Sequence, residues 1–186
     1  MAKTETYLEE FIAGDQAAFQ SLYADTSPML YRVVLRMAGS REEAEDILHD
    51  VYIKVYEKRH SYRPELSDLR TWLYRIAVNH TLNQLKRRAW LGGNLAKVFN
   101  RSDKRSVRDI AEDYADAEEE QTALQLLQKV PENYRICLIM RDIEEKSYEE
   151  TAKVLKLELG TVKSRINRGR QILKDMYGKE TDNEKL

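Results

Sequence analysis

Basic and amide side chains near the carboxyl end of the chain have the chemistry and the spacing to bind nucleic acid. Five Lys or Arg residues and no acidic residue lie between positions 159 and 174. Val162, Ile166 and Gly169 recur at steps of four and three, which places small and apolar residues on one face of a predicted helix. Polar residues that bond to phosphates and base edges lie on the other face or its flanks, and they are Lys163, Ser164, Asn167 and Arg168.

A second basic segment lies between positions 69 and 90, which again hold five Lys or Arg residues and no acid. Asn79 and Asn83 are one helical turn apart and would point together. Three consecutive cations, Lys86, Arg87 and Arg88, follow them. Because the whole chain has a net charge of −1, these cations are segregated from the acidic residues rather than in excess. The segregation predicts two cationic surfaces for a polyanion.

The side chains that could support catalysis or metal binding are not arranged for either task. His49, His60 and His80 lack the spacing of metal ligands, and with a single cysteine no zinc site is expected. The sequence contains no glycine-rich phosphate loop and no credible pair of nucleophile and base. We therefore expect no enzyme activity, no cofactor and no bound metal.

The single cysteine and the amino terminus indicate the compartment. Cys137 stands between Ile136 and Leu138, which predicts a buried thiol, and one cysteine excludes an internal disulfide. The amino terminus lacks the apolar core of a signal peptide, and no apolar run is long enough to span a membrane. These features favour a protein of the reducing cytoplasm without direct membrane insertion.

Composition predicts an all-α protein, because seven Gly and three Pro residues are too few for the many turns of a β fold. In the first part of the chain, Asp15 is placed to cap a helix and Pro28 to open the next one. Ser40 and Glu43 have the spacing of a capping box at the start of a long helix. A last helix is expected to begin near Asp68, after a polar loop over residues 60–67.

In the second part of the chain, Ser147 and Glu150 form another predicted capping box at the start of a short helix. A turn over residues 156–159 separates this helix from the basic helix described first. Two helices joined by so short a turn are typical of a helix-turn-helix, whose second helix enters the DNA major groove.

Apolar periodicity fails between positions 92 and 120, where a basic stretch is followed by an acidic one. A structureless connection of this length is unusual inside one compact domain, so we predict a flexible linker between two small helical domains. The predicted division is an N-terminal helical bundle (1–91), a linker (92–120), a C-terminal helix-turn-helix domain (121–178) and a tail (179–186).

Motifs in both domains resemble the sigma-70 family, and more narrowly its extracytoplasmic-function group. In order along the chain they are residues 14–19, 44–47, 71–79, Val130-Pro131 with Arg135, 147–152 and 160–170. The resemblance implies a factor that binds core RNA polymerase and directs promoter recognition and transcription initiation. It also implies three partners, which are the β′ clamp helices and β flap of the polymerase, promoter DNA, and an anti-sigma factor.

The resemblance also assigns roles to residues. Glu45, Asp46 and Asp50 would dock on the β′ clamp helices. The loop over residues 61–68 would hold a base flipped from the minus-ten element, and the acidic part of the linker would enter the channel that RNA later occupies. On the minus-ten side, Asn79 and Asn83 would contact bases. The phosphates there would be bound by Lys86, Arg87 and Arg88. The minus-thirty-five side would be Lys163, Ser164, Asn167 and Arg168.

Some positions depart from the family pattern or allow other interpretations. Lys156 stands where the recognition turn usually has Gly, so a positive φ would strain it. Glu158 replaces a common Ser, and His49 a common Gln. Trp72 could stack on DNA, but its apolar helical spacing favours a core position.

Two other classes of protein remain open alternatives. A helix-turn-helix regulator that acts without polymerase would bind duplex DNA tightly by itself. An interaction scaffold would bind its partners without depending on Lys163 or Arg168.

Overall fold

The computed structural model describes the backbone of residues 8–96 and 117–183, and the side chains of residues 8–90 and 123–177. The described backbone holds eight α-helices and no strand, which confirms the all-α prediction. In chain order they are α1 (Leu8–Ala13), α2 (Gln16–Ala38), α3 (Arg41–Glu57), α4 (Leu69–Ala96), α5 (Ala117–Lys129), α6 (Glu132–Leu138), α7 (Tyr148–Leu155) and α8 (Leu159–Asn183). A 3-10 turn (Arg59–Ser61) follows α3, and a π-turn (Ile139–Ile143) follows α6.

Helix α2 contradicts the prediction that Pro28 opens a new helix, because the proline lies inside it. Proline removes one backbone donor, but the apolar face of α2 continues across it and is buried on both sides, at Leu22 and at Leu30. Burial of this long face outweighs the lost hydrogen bond. The helix ends where expected, at Gly39, whose φ of 86° is the left-handed conformation that favours glycine.

Helix caps follow the local sequence, with one exception. Asp15 accepts a hydrogen bond from the Ala18 N–H at 2.8 Å, and Ser147 and Glu150 form a complete capping box. At the start of α3, Ser40 accepts from the Glu43 N–H at 3.3 Å. The Glu43 carboxylate pairs instead with Arg88 of α4, so the predicted capping box is only half formed.

The helices that flank the predicted linker extend into it. Residues 92–96 continue α4 and residues 117–120 begin α5, whereas the sequence places both segments in the linker. Residues 117–120 are Ala and Glu, which are strong helix formers, whereas residues 92–96 include two glycines and an asparagine and extend a helix that is already formed. The rest of the linker, with most of its acidic stretch, lies outside the described residues, as do residues 184–186 of the tail.

One apolar core runs through the described parts of both halves of the chain. It joins buried side chains of α2, α3 and α4 to those of α5, α6 and α7. Helix α4 packs against α7, and α2 contacts α5 and α6. Trp72 lies in this core with 7% of its surface exposed, and its ring meets that of Tyr62 edge-on at a centroid distance of 5.5 Å. The predicted core position of Trp72 is therefore confirmed.

The thiol of Cys137 is buried, as predicted, and donates weakly to the Asn133 carbonyl at 3.5 Å. Burial raises the pKa of Cys137 to about 11. We expect the folded protein to react with a thiol reagent such as DTNB at pH 8 at least ~100-fold more slowly than the urea-unfolded chain, because the thiolate is both scarcer and shielded. Comparable rates in the two states, followed by absorbance, would contradict this burial.

Candidate nucleic-acid interface

The helix-turn-helix is formed by α7, a three-residue turn and α8. Lys156 begins the turn in the left-handed conformation, with φ 53° and ψ 48°, and its N–H donates to the Ala152 carbonyl. The expectation of a positive φ at this lysine is thus met, at a cost of about 1–2 kcal/mol relative to glycine. The strained turn sets the angle at which α8 leaves α7.

Helix α8 is buried on one face and exposed on the other. Val162, Ile166 and Gly169 are buried, and the helix packs on α6. Each of the four residues predicted to address the minus-thirty-five element is exposed, and they are Lys163, Ser164, Asn167 and Arg168. The structure therefore brings these four together on one surface, which presents two cations and an amide within two helical turns.

Two other bases of the same segment have partners inside the protein. Arg170 forms a two-point ion pair with Asp142 of the π-turn, with its Nε 3.0 Å from Asp142 Oδ2. Arg165 is half-buried and lies close enough to Cys137 to affect its pKa. No local pattern predicts the Arg170 pair, since its partner is 28 residues away.

Gly169 is the point of closest approach between α8 and α6. A Cβ atom added there would lie 2.9 Å from Leu138 Cδ1, and Leu138 is itself only 2% exposed. We expect Gly169→Ala to lower the free energy of unfolding by about 1–3 kcal/mol, measured by urea denaturation, because the buried Leu138 side chain must leave its packed position to admit the methyl group. The control is Gly160→Ala in the first turn of α8, where an added Cβ meets nothing within 4 Å. Equal effects at the two glycines would contradict the close packing.

The predicted minus-ten residues lie on α4. Asn79, Asn83, Lys86 and Arg87 are exposed, and Arg88 is exposed but paired with Glu43 of α3. Asn79 and Lys86 line a cavity of about 440 Å³ between α4 and the helix-turn-helix. The other residues that line it are Leu82, Glu132, Asn133, Ile136, Leu155, Leu157 and Arg165. One of the two asparagines thus faces the second half of the protein.

The predicted docking acids are divided between two environments on α3. Glu45 and Asp46 are on the outer face, where Glu45 accepts from Arg41 at 3.1 Å. Asp50 faces α4, where its carboxylate accepts from Gln84 Nε2 at 3.2 Å and lies 3.4 Å from His80 Nε2. Asp50 therefore also helps to hold α4 against α3.

An exposed apolar patch beside these acids was not predicted. Ile53 is 46% exposed and Tyr56 37% exposed on α3, and Tyr23 of α2 is 45% exposed. The guanidinium of Arg59 lies 4.2 Å from the centre of the Tyr56 ring. The position of Ile53 could have indicated this patch from the sequence, because Ile53 falls outside the buried stripe that Val51 and Val55 define on α3.

The described residues contain no group of three or more His, Cys, Asp or Glu side chains that could hold a metal ion. Within the same part of the chain, no helix is both long enough and apolar enough to cross a membrane.

Known proteins are similar to this chain in sequence and in fold. Residues 22–91 match the family Sigma-70 region 2, and residues 120–173 match Sigma-70, region 4. The chain is 33% identical over 174 residues to the ECF RNA polymerase sigma factor SigE of Mycolicibacterium smegmatis, covering 90% of this chain and 66% of that protein. It is 31% identical over 168 residues to the ECF RNA polymerase sigma factor SigW of Bacillus subtilis, covering 87% of this chain and 89% of that protein. It is 30% identical over 181 residues to the RNA polymerase sigma-H factor of Pseudomonas aeruginosa, covering 89% of each chain.

Two solved structures have a similar fold. The sigma factor RpoE of Bartonella quintana, in complex with the anti-sigma factor NepR, aligns with a TM-score of 0.70 and 24% identity, covering 86% of this chain and 96% of that chain. CnrH, in complex with the cytosolic domain of CnrY, aligns with a TM-score of 0.67 and 20% identity, covering 92% of this chain and 95% of that chain.

Proposed function

This chain is an extracytoplasmic-function RNA polymerase sigma factor of the sigma-70 family, and we propose how its helices divide the work of joining core polymerase and finding a promoter. Helix α3 docks on the β′ clamp helices, α4 binds the minus-ten element, and α8 binds the minus-thirty-five element while its domain contacts the β flap. The observation that carries the proposal is the division of α8 into a buried apolar face and an exposed face with Lys163, Asn167 and Arg168. That face fits duplex DNA, where Arg and Asn read base edges and Lys binds phosphate.

Docking of α3 relies on charge complementarity with basic residues of the clamp helices. Glu45 and Asp46 form the exposed part of this surface, and Asp50 keeps 46% of its side chain exposed at the edge next to α4. Charges at the rim of an interface steer the encounter and fix its register. The neighbouring Ile53 and Tyr56 add apolar area to the same side of the helix.

Helix α4 captures the displaced strand of the minus-ten element. Asn79 and Asn83 offer donors and acceptors to unpaired bases, and Lys86 and Arg87 bind the adjacent phosphates. Arg88 can join them by exchanging Glu43 for a phosphate. A base flipped into the loop over residues 61–68 loses stacking worth a few kcal/mol, which the loop must recover through its own contacts.

All of these steps are non-covalent, and the polymerase performs the chemistry, so we assign the protein no enzymatic role. It acts in the cytoplasm, where core polymerase and promoter DNA are found. An anti-sigma factor restrains it, by analogy with RpoE bound to NepR.

Run-off transcription from fragmented genomic DNA, with purified bacterial core polymerase, tests this function. We expect discrete new transcripts that share two upstream elements only when the protein is present. Silence with a core enzyme that responds to a control sigma factor would contradict the proposal and favour an operator-binding regulator that acts without polymerase.

A further inference from the structure

An exposed aromatic ring extends the minus-ten face of α4. Trp90 has 68% of its surface exposed, and its ring has no stacking or cation partner among the side chains that the structure describes. The other tryptophan of the chain, Trp72, lies in the core. An indole ring is large and mostly apolar, so it gains free energy when a partner covers it. The Trp90 ring is available to a partner outside the chain.

Helical geometry places Trp90 in line with the predicted minus-ten residues. Asn79, Asn83, Lys86 and Trp90 follow one another at steps of four, three and four, so they form one stripe along α4. All four are exposed, and α4 continues as a helix to Ala96, which fixes Trp90 in the helical register. The helix rises about 16 Å from Asn79 to Trp90. That distance equals roughly five bases stacked at about 3.4 Å each. The stripe therefore has the length of a short single-stranded element, with Trp90 at one end.

The charge around Trp90 favours a nucleic acid over a protein as its partner. Helix α4 has no Asp or Glu among its 28 residues, and Lys86 and Arg87 lie one turn before the ring. By contrast, the exposed apolar patch on α3 lies beside Glu45 and Asp46, whose charge suits a basic protein surface. Trp90 is also the single large apolar side chain exposed on the described part of α4, whereas a protein hot spot is surrounded by further contacts. One flat ring among cations fits one base beside its phosphate.

We propose that Trp90 is a stacking platform for an unpaired base, at the end of the minus-ten element that lies farther from the loop over residues 61–68. The platform rests on the proposed function and adds a nucleotide contact to it. The loop holds its flipped base at the start of α4, Asn79 and Asn83 contact bases along the middle, and the indole covers the last base of the opened strand. Stacking stabilises the opened strand without selecting its sequence, because every base has a π face.

Replacing the ring should weaken the binding of opened DNA. Loss of one stacked base lowers affinity by about 5- to 100-fold. We expect holoenzyme with Trp90→Leu, which keeps an apolar side chain without a π face, to lose that factor in affinity for a promoter probe whose minus-ten element is single-stranded. Trp90→Phe keeps a smaller ring and should retain most of the affinity. Tyr177→Leu is the matched control, because it removes a ring that is 64% exposed in the last part of α8.

Two further measurements distinguish stacking from a structural role and from a phosphate contact. Abasic sites are placed one at a time along the single-stranded element of the probe. One abasic position should weaken binding by the wild type but have little further effect in Trp90→Leu, because the base and the ring form a single contact. The dependence of affinity on salt should be unchanged in Trp90→Leu. Lys86→Ala, which removes a phosphate contact, should lower the magnitude of the salt slope by about 0.7.

The promoter probe is taken from run-off transcription by the wild type, and this order separates the two proposals. If the wild type transcribes, but Trp90→Leu binds the probe as tightly as wild type and Tyr177→Leu do, the platform is overturned and the proposed function stands. Weaker binding of Trp90→Leu to core polymerase in the absence of DNA would also overturn the platform, because the ring would then contact protein. If the wild type does not transcribe, the proposed function fails and the platform fails with it.

Discussion

Replacing both Lys163 and Arg168 with Ala should remove most promoter-directed transcription by this sigma factor. An arginine that reads a base contributes about 1–3 kcal/mol to recognition and fixes specificity at one position. A lysine that binds phosphate contributes equally to the affinity for all DNA sequences. It adds about one to the magnitude of the slope of log affinity against log salt concentration. Because both side chains are exposed on α8, their removal should leave the fold intact.

The single variants distinguish the two kinds of contact. Titration of holoenzyme with promoter variants at several salt concentrations should show relaxed specificity at one position for Arg168→Ala, and a uniform loss with a smaller salt slope for Lys163→Ala. Lys174→Ala serves as the control. It also removes one positive charge from α8, but Lys174 lies about 16 Å beyond Lys163 along the helix, away from the end that enters the groove. Unchanged promoter use by the double variant would refute the assignment of α8 as the recognition helix.

Trp72→Ala should destabilise the protein more than any surface change. Trp72 has only 7% of its surface exposed, and its ring packs on Tyr62. Loss of a buried Trp side chain costs about 3–5 kcal/mol, which is a large part of the ~5–15 kcal/mol that stabilises a typical protein. Urea unfolding followed by circular dichroism should show a lower midpoint than that of the wild type.

Trp90→Ala is the matched control, since Trp90 is 68% exposed at the end of the basic run. Its free energy of unfolding should change by no more than about 0.5 kcal/mol. A Trp72→Ala protein that stays stable but loses promoter opening would show instead that the Trp72 ring contacts DNA.

The sequence was sufficient for features that depend on neighbouring residues. The caps at Asp15 and Ser147 form between residues three apart, so the pattern specifies them directly. The burial of Val162 and Ile166 with exposure of Lys163 and Asn167 follows from helical periodicity alone. The strain at Lys156 was expected from the family resemblance, because glycine usually stands at this position of the turn.

Features that depend on distant partners could not be predicted in this way. Glu43 has the right spacing for a capping box, but α4 brings Arg88 within reach and a charged partner competes with the backbone N–H. Arg170 was counted among the basic residues of the recognition segment, and only the fold shows that Asp142 holds it. The prediction of a helix start at Pro28 was wrong, because α2 buries an apolar face that extends on both sides of the proline. The burial of that face stabilises one continuous helix.

The hydrogen bonds at the end of α2 also have a consequence for protein synthesis. They connect Gln128 to Arg36 and Arg135 to Met37, across 92 and 98 positions of the chain. A ribosome that adds about 5–20 residues per second needs about 5–20 s to make the intervening segment. The end of α2 is therefore made seconds before the side chains that bond to it exist. In that interval the carbonyl groups of Arg36 and Met37 can be hydrogen-bonded only by water, so this end of α2 is completed only after the second half of the chain has been made.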